Sequence, residues 1–378
     1  VYSLCRIFFY SKWDKKYSVG QKLPNWRCVF IKHNPYKLVQ QLVPELSTIF
    51  PLRYRILQVI AVSGPVGRRT ILDTLNVSER TVRNETTLLM NQNLIETSPK
   101  GMICTEKGFV ALENLKEVFQ DLSGLSSKEK KLAQLLGIEK VIIVPGDVDV
   151  DESIKQHLGN EAALFLMNIA KKENAVAITG GSTIASLTKF LSPTKTLNTL
   201  TFVAARGSFG NEMNLQANTL VSQFASQCGA DFRTLYLPEN LSAAAYATMS
   251  EEPVVKEVLD MYEQIDIVIH GIGTAKDMAN RRHSSEEILH LLHEKNAIGE
   301  AFGYYFDEFG EVIYRINTIG IQLNQVKNSP HIIAVAGGSM KAKAIQAYFK
   351  MAAKQTTLIT DEGAANEILQ SSKNELSL

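Results

Sequence analysis

The chain has 378 residues, of which 45% are hydrophobic and 21% charged, and its 40 basic and 39 acidic side chains give a formal net charge of +1. A chain of this length is longer than a single hydrophobic core usually supports, so two domains are predicted. The balanced charge excludes a positive potential over the whole surface that would attract nucleic acid. Any DNA contact must therefore come from a local basic cluster.

The cysteine pattern and the apolar runs exclude two further classes. The four cysteines include no C-x-x-C pair, which argues against a zinc site or a disulfide framework and favours a reduced, cytoplasmic compartment. Apolar runs such as residues 141–144 are far too short to span a bilayer.

Residues 1–41 form a basic leader. Up to Lys37 this segment has eight lysines and arginines against one acid, Asp14, and it contains both tryptophans. Its apolar run at residues 7–10 is too short for a secretory signal, and no small-residue cleavage site follows. We expect a segment without regular structure and assign it no function; a basic, aromatic arm that contacts DNA is the alternative.

Residues 42–125 are predicted to form a winged helix-turn-helix followed by a linker helix. The predicted elements are helices over residues 52–60, 67–75 and 79–91 and a hairpin of strands 94–97 and 102–105. Ser78 is a suitable N-cap for the third helix. From Glu106 to about Leu125, apolar residues recur on one face, which is typical of a connector or dimerisation helix.

The third helix has the pattern of a recognition helix. Five polar residues are expected to face outward: Arg80, Thr81, Arg83, Asn84 and Thr87. Arginine can read guanine and asparagine adenine in the major groove. Arg68 and Arg69 fall where the preceding helix would cross the phosphate backbone, and Lys100 lies at the tip of the wing. A surface helix with solvated charges has a similar pattern, but the adjoining wing favours DNA binding.

Residues 126–378 alternate short apolar runs with helical stretches. The β-rich runs are residues 140–145, 175–179, 199–204, 232–237, 265–270, 331–336 and 356–360. The clearest helical stretches are residues 152–171, 215–229, 286–294 and 341–353. This alternation predicts an α/β domain with a mostly parallel, Rossmann-like sheet covered on both faces.

Two strands of this domain end in nearly the same Gly-Gly-Ser turn. The first turn contains Gly180, Gly181, Ser182 and Thr183, and the second comprises residues 337–340. Glycines expose backbone amides, hydroxyls add donors, and a following helix favours an anion. Neither turn matches a dinucleotide or nucleotide-triphosphatase fingerprint. One such turn can be a plain strand-to-helix connection, but two, with Arg206 and Lys341 nearby, indicate phosphate binding.

A third strand also ends in glycines, at residues 270–274. Its His270 is expected to be a packed strand-end histidine rather than a catalytic one. Arg281 and Arg282 are expected in a loop that follows. Glu300 could accept hydrogen bonds from sugar hydroxyls, and the alternative is an exposed loop acid. We predict no catalytic residues and no metal site, since no acid/base pair is evident.

The order of these features resembles the SorC family of bacterial sugar-responsive transcriptional regulators, over about residues 42–378. The motifs that carry the resemblance are Gly-Arg-Arg at 67–69, Ser-Glu-Arg-Thr-Val-Arg at 78–83, Ile-Thr-Gly-Gly-Ser-Thr at 178–183, Ala-Ala-Arg-Gly at 204–207 and Ala-Gly-Gly-Ser-Met-Lys at 336–341. The resemblance implies an effector domain similar in fold to sugar-phosphate isomerases but without catalysis. It also implies operator DNA as a partner, assembly as a homodimer or homotetramer, and no cofactor.

A group within that family represses central glycolytic genes and is relieved by fructose-1,6-bisphosphate, and the resemblance implies the same here. Position by position, it implies that Gly180, Gly181, Ser182 and Thr183 cradle one phosphate, with Arg206 and Gln216 assisting. Arg281 and Lys341 would address the other charged end, and Glu300 would hold sugar hydroxyls. Two anion sites suit a bisphosphate.

We hypothesise that the bisphosphate reorganises contacts between effector domains and so weakens cooperative operator binding by paired dimers. Two alternatives remain open from the sequence. One is a working sugar-phosphate isomerase or deaminase with an accessory domain, against which the missing acid/base set argues. The other is a SorC-type regulator that answers a different sugar phosphate.

Overall fold

The computed structural model describes residues 39, 42–75, 77–208, 212–239 and 241–375. The leader predicted for residues 1–41 therefore lies, apart from Val39, outside the described residues. All elements below belong to residues 46–378, which form one unit by their contacts. Within the described ranges, none of the helices combines the length and apolar character needed to cross a membrane.

The N-terminal part is a winged helix-turn-helix, as predicted. Its elements are α1 (Leu46–Ser63), α2 (Arg68–Leu75), α3 (Glu79–Asn91), β1 (Ile95–Ser98), β2 (Gly101–Cys104) and α4 (Glu106–Leu122). The two strands pair antiparallel, and Val66 adds a bridge to Met102 that extends the wing. Buried side chains of α1, α2, α3 and the two strands share a core that includes Ile60, Ile71 and Val82, and partly buried residues of α4 pack against it.

Local side-chain chemistry sets where α3 and α4 begin. The Ser78 hydroxyl accepts a hydrogen bond from the Thr81 amide (3.1 Å), and the Thr105 hydroxyl accepts one from the Gly108 amide (3.1 Å). These bonds satisfy amides that have no partner inside the helix. Gly108 also lets α4 approach the wing, because a Cβ there would lie 2.2 Å from the Leu94 carbonyl oxygen.

The C-terminal part is an α/β domain. Its strands are β3 (Lys140–Val144), β4 (Ala175–Ile178), β5 (Thr201–Ala204), β6 (Asp231–Arg233), β7 (Ile267–His270), β8 (Gly273–Thr274), β9 (Gly299–Ala301), β10 (Tyr304–Phe306), β11 (Val312–Arg315), β12 (His331–Val335) and β13 (Thr356–Asp361). Its helices are α5 (Leu125–Leu136), α6 (Ile154–Ile169), α7 (Ser182–Ala185), α8 (Ala217–Cys228), α9 (Ala243–Met249), α10 (Pro253–Tyr262), α11 (Ala275–Arg281), α12 (Glu286–Glu294), α13 (Leu323–Asn328), α14 (Ala342–Met351) and α15 (Glu362–Glu375).

Among the described residues, seven strands form a wholly parallel sheet in the order β3-β13-β12-β7-β4-β5-β6. The predicted fold class is confirmed. The central strands are buried on both faces, which explains why they are apolar without alternation. Chain order reverses between the neighbouring strands β4 and β7. In open sheets of this kind, the crevice at the carboxyl ends beside such a reversal is where ligands bind.

A second sheet was not predicted. In the described residues it has four antiparallel strands in the order β11-β10-β9-β8. The β9–β10 turn consists of Phe302 and Gly303, which both have positive φ (55° and 84°), as a tight hairpin turn requires. Its strand β9 carries Glu300, which lines the same cleft as residues at the carboxyl ends of the large sheet's strands.

The loop predicted for Arg281 and Arg282 is wrong. Arg281 is the last residue of α11, and Arg282 follows as its C-cap. The Thr274 hydroxyl caps the start of this helix by accepting the Asp277 amide (3.2 Å). At this end of the helix the side chains of Arg281 and Arg282 point in different directions and therefore lie in different environments.

Candidate functional site

A cleft opens at the carboxyl ends of β4, β5, β7 and β12, beside the reversal of strand order. Eight of the nine predicted effector residues line it: Gly180, Gly181, Ser182, Thr183, Arg206, Arg281, Glu300 and Lys341. Apolar side chains, which include Ile272, Met278 and Phe302, complete its walls.

Gln216 is the predicted residue that the structure does not place in the described walls of this cleft. It precedes α8 and is half-buried. Its neighbour Leu215 supports the first Gly-Gly-Ser turn, because the Leu215 carbonyl accepts a hydrogen bond from the Gly181 amide (2.9 Å). Gln216 is therefore the sequence neighbour of a residue that supports the turn.

The first turn requires its two glycines. A Cβ at Gly180 would lie 2.4 Å from the Leu215 carbonyl oxygen, and Gly181 has a φ of +122°, which L side chains rarely adopt. The turn presents the hydroxyls of Ser182 and Thr183 to the cleft. These groups can donate to an anionic ligand.

The second Gly-Gly-Ser turn does not form the expected anion cradle. Its consecutive amides already donate to carboxylates: Gly338 to Asp361 (2.8 Å), Ser339 to Asp147 (3.3 Å) and Met340 to Asp149 (2.8 Å). The amides of the second turn are therefore not available to an anion, because the protein's own aspartates occupy them. From this region the side chain of Lys341 reaches the cleft.

Lys341 is a half-buried cation with no ion pair in the described part of the chain. Burial, and next the nearby Lys155, lower the pKa of Lys341, while Asp149, Asp277 and Asp361 act in the opposite direction. An anion in the cleft would compensate the charge of Lys341. Arg281 also lines the cleft and is 3.2 Å from Glu212, with both side chains substantially exposed.

A buried ring of four charged side chains lies beneath the cleft, and two of them, Arg206 and Glu300, line it. Arg206 and Arg282 each contact both Glu239 and Glu300. Glu239 accepts from Arg282 over 2.9 and 3.3 Å, and Glu300 lies 3.0 Å from Arg282 and 3.4 Å from Arg206. We call these four residues the charged ring. Sequence reasoning assigned no role to Arg282 and missed Glu239 altogether.

Glu300 is not the exposed loop acid that the sequence left as an alternative. It lies on β9 and is 3% exposed. Burial alone would raise the pKa of Glu300, but Arg282, Arg206 and the Gly303 amide (2.5 Å) hold it below its usual range. Glu300 is therefore an ionised acceptor at neutral pH.

His270 is packed, as the sequence favoured. It is fully buried, its Nε2 lies 3.1 Å from the Tyr348 hydroxyl and its Nδ1 lies 3.0 Å from the Gly271 carbonyl oxygen. Burial lowers the pKa of His270 to about 4, so the ring is neutral. Across the described ranges, no cluster of three or more His, Cys, Asp or Glu side chains is placed to hold a metal ion.

The outward face of α3 carries the predicted DNA-contacting residues. Arg80, Arg83, Asn84 and Thr87 are exposed, and Thr81 is half-buried. Thr81 belongs to the helix cap, because its hydroxyl lies 2.8 Å from that of Ser78. Arg83 pairs with Glu79 one turn earlier (3.2 Å). Arg68 and Arg69 on α2 and Lys100 at the wing are exposed as well.

A parallel α/β domain with a cation-lined cleft, joined to a winged helix-turn-helix, defines a ligand-responsive transcriptional regulator. The family model of the sugar-binding domain matches residues 120–370, and that of the CggR N-terminal DNA binding domain matches residues 49–119. The chain is also 40% identical to the central glycolytic genes regulator of Bacillus subtilis (88% of this chain, 97% of that protein). It therefore belongs to the SorC family of sugar-binding transcriptional regulators, in the group of the central glycolytic genes regulators, and is not an enzyme.

Other relatives agree. The central glycolytic genes regulator of Priestia megaterium is 39% identical over 88% of this chain and 97% of that protein. A structure described as a SorC family transcriptional regulator from Enterococcus faecalis is 41% identical, with a TM-score of 0.61, over 64% of this chain and 99% of that one. The full-length sorbitol operon regulator SorC from Klebsiella pneumoniae has a TM-score of 0.61 at 16% identity, over 84% and 98%, and shows similarity of fold.

Proposed function

We propose that this chain represses central glycolytic genes by binding operator DNA, and that fructose-1,6-bisphosphate in the cleft relieves the repression. The observation that carries the proposal is the convergence of eight predicted effector residues, three of them cations, in one cleft. The names of the two curated relatives support the choice of target genes.

One phosphate of the ligand would lie at the first turn. Ser182 and Thr183 would donate their hydroxyls there, and Arg206 would approach from the floor of the cleft. The other phosphate would be held by the side chains of Lys341 and Arg281 rather than by amides, because Asp147, Asp149 and Asp361 already occupy the second turn. This division of roles agrees with what the family resemblance implied, which assigned Arg281 and Lys341 to the second charged end.

Glu300 would fix the sugar between the two phosphates. Its contacts with Arg206, Arg282 and the Gly303 amide all fall on Oε1. Oε2 is therefore the oxygen that would accept a sugar hydroxyl. A carboxylate held ionised by two arginines is a strong and well-oriented acceptor.

The ligand can relieve repression only if it binds one assembly state more tightly than another. We propose that the protein binds its operator as paired dimers, and that the bisphosphate reorganises contacts between sugar-binding domains. The exposed side chains of Phe109, Val110 and Leu115 on α4 support self-association through this helix, since exposed apolar groups in one region commonly mark an interface.

A thermal-shift panel tests the effector. The panel would contain fructose-1,6-bisphosphate, fructose 6-phosphate, ribose 5-phosphate and inorganic phosphate. At about 100 times Kd a ligand stabilises the folded state by about 2.7 kcal/mol, so the true effector should give the largest rise in Tm. Lys341→Met should reduce this rise, whereas Lys343→Met, at an exposed position outside the cleft walls, should not.

Gel shifts with operator DNA complete the test. Fructose-1,6-bisphosphate should release DNA from the wild type and not from Lys341→Met. If another sugar phosphate releases DNA more strongly, that compound and not fructose-1,6-bisphosphate is the effector. Unchanged DNA affinity and assembly with every sugar would contradict the proposed function.

A further inference from the structure

We infer that Arg282 and Glu239, which both lie outside the cleft walls, are positioning residues that set the charge beneath the bound phosphate. The inference rests on the proposed function in one respect, namely that the ligand is an anion. Within the described residues the cleft walls include Arg206 and Glu300 but neither Arg282 nor Glu239. These two act through the residues that do line the cleft.

The geometry of the charged ring fixes Arg206 from behind. Arg282 binds Glu239 through two nitrogens (2.9 and 3.3 Å) and Glu300 through one (3.0 Å). The same two carboxylates contact Arg206. Arg282 is itself held by the Tyr305 hydroxyl, which accepts from its Nη1 (3.1 Å). Glu239 and Glu300 thus each bind both arginines. The orientation of Arg206 toward the cleft therefore depends on Arg282 as well.

The ring is electrically neutral, since two arginines balance two glutamates. Its side chains are 2–7% exposed, so water screens a change in their charge only weakly. Loss of the Arg282 cation would leave the floor with a net charge of −1 beneath a phosphate. Loss of the Glu239 carboxylate would leave it at +1. The two changes should therefore move anion affinity in opposite directions.

A purely structural role predicts a different result. Breaking a buried ion pair destabilises a protein strongly whichever partner is removed. Both single variants would then lower Tm, and any loss of ligand binding would follow stability rather than charge. Anion affinity measured on the folded fraction separates the two roles.

Isothermal titration at pH 8 with fructose-1,6-bisphosphate and with inorganic phosphate tests the inference. Arg282→Met should weaken binding by about tenfold, and Arg282→Lys, which keeps the charge, should lose much less. Glu239→Gln, which keeps an acceptor for Arg206, should tighten binding. The double variant Arg282→Met/Glu239→Gln should regain most of the affinity lost in Arg282→Met. Arg233→Met, in an exposed pair with Glu257, is the matched control.

The outcomes distinguish the inference from the proposed function. Equal losses in Arg282→Met and in the double variant would overturn the inference, as would weaker binding by Glu239→Gln. If Arg282→Met does not fold, Glu239→Gln alone decides by the sign of its effect. If the wild type binds another phosphorylated sugar instead, the proposed effector is wrong. The affinities of the Arg282 and Glu239 variants are then measured with that sugar. A wild type that binds no phosphate compound overturns both.

Discussion

Arg55 on α1 donates a hydrogen bond to Glu362 at the start of α15 over 3.2 Å, and this pair joins the DNA-binding domain to the sugar-binding domain. The other oxygen of Glu362 accepts from Lys128 on α5 (2.6 Å). Burial opposes the charge of Glu362, but Lys128 and Arg55 hold its pKa below its usual value of 4.5. One carboxylate thus binds elements on both sides of the domain boundary.

Glu362→Gln should weaken the response of DNA binding to the effector. The pair is partly exposed, so the loss of stability should stay below about 1 kcal/mol, while the ratio of operator affinities without and with fructose-1,6-bisphosphate should fall. Because the folded-state pKa is depressed, the stabilisation is present above about 4.5 and disappears as pH falls through the folded-state pKa. Fluorescence anisotropy with labelled operator measures the ratio. Glu257→Gln is the control, and an unchanged ratio would exclude this link.

Arg80→Ala and Asn84→Ala should reduce sequence-specific DNA binding by about 1–3 kcal/mol each. Both side chains are exposed on α3 with no ion pair among the described residues. Arg68→Ala should instead weaken all DNA sequences alike and lower the salt dependence by about one counterion. Salt titrations on operator and on unrelated DNA separate these effects. Lys172→Ala, exposed on the sugar-binding domain, should change neither.

Glu79→Gln should strengthen DNA binding moderately. Glu79 holds Arg83 (3.2 Å) on the face predicted to meet DNA, and its negative charge would oppose a phosphate there. Removal of that charge frees Arg83 for a phosphate or a base. The expected gain is severalfold at low salt and smaller at high salt. A loss of affinity would show that Glu79 orients Arg83 for DNA.

Effector affinity should fall as pH rises through the lowered pKa of Lys341. Burial lowers the pKa of Lys341 in the free protein, and a bound phosphate would raise it again. Affinity is therefore highest below the pKa of the free protein and declines as pH rises through it. Titrations in buffers of different ionisation enthalpy should reveal proton uptake on binding. Lys341→Met should abolish that uptake, and uptake that persists in Lys341→Met would assign it to another group.

Asp361→Asn should destabilise the protein by about 3 kcal/mol. The buried Asp361 carboxylate accepts from the amides of Val148, Gly338 and Ala364 (2.8, 2.8 and 2.9 Å). An asparagine would present an NH₂ group to some of these donors, and a buried donor without an acceptor is costly. Urea denaturation measures the loss. Asp231→Asn, at an exposed edge position, should have little effect, and equal losses in the two variants would argue against this role of the turn.

The sequence predicted the elements whose signals are local. The Ser78 cap located α3 from Glu79 to Asn91, and the apolar runs located most strands of the parallel sheet. The second sheet escaped prediction because its strands have two to four residues, as in Gly273–Thr274. Such strands are too short for an alternating pattern and depend on long-range pairing.

Part of the cleft was predictable because the glycine turns, Arg206 and Lys341 follow the strands closely, while the roles of Arg281 and Glu300 were implied by the family resemblance. The charged ring was not, because Glu239 and Arg282 meet across 43 positions of sequence. For the same reason, the sequence did not show that the amides of the second Gly-Gly-Ser turn already donate to carboxylates. Its glycines indicate exposed amides, but Asp147 and Asp149 arrive from about 190 residues earlier. Pattern reasoning identifies donors locally and cannot show which acceptor has already reached them.

The edge of the large sheet has a consequence for how this sensor is attached. The first and last strands, β3 and β13, are neighbours, with Val141 opposite Leu358. Helix α15 then returns along α5, so the chain enters and leaves the sugar-binding domain on one side. A domain whose first and last elements are adjacent can be joined to a different DNA-binding domain without a change in the connectivity of its sheet. Under the proposed function, replacement of the segment before α5 should transfer the sugar response to another operator.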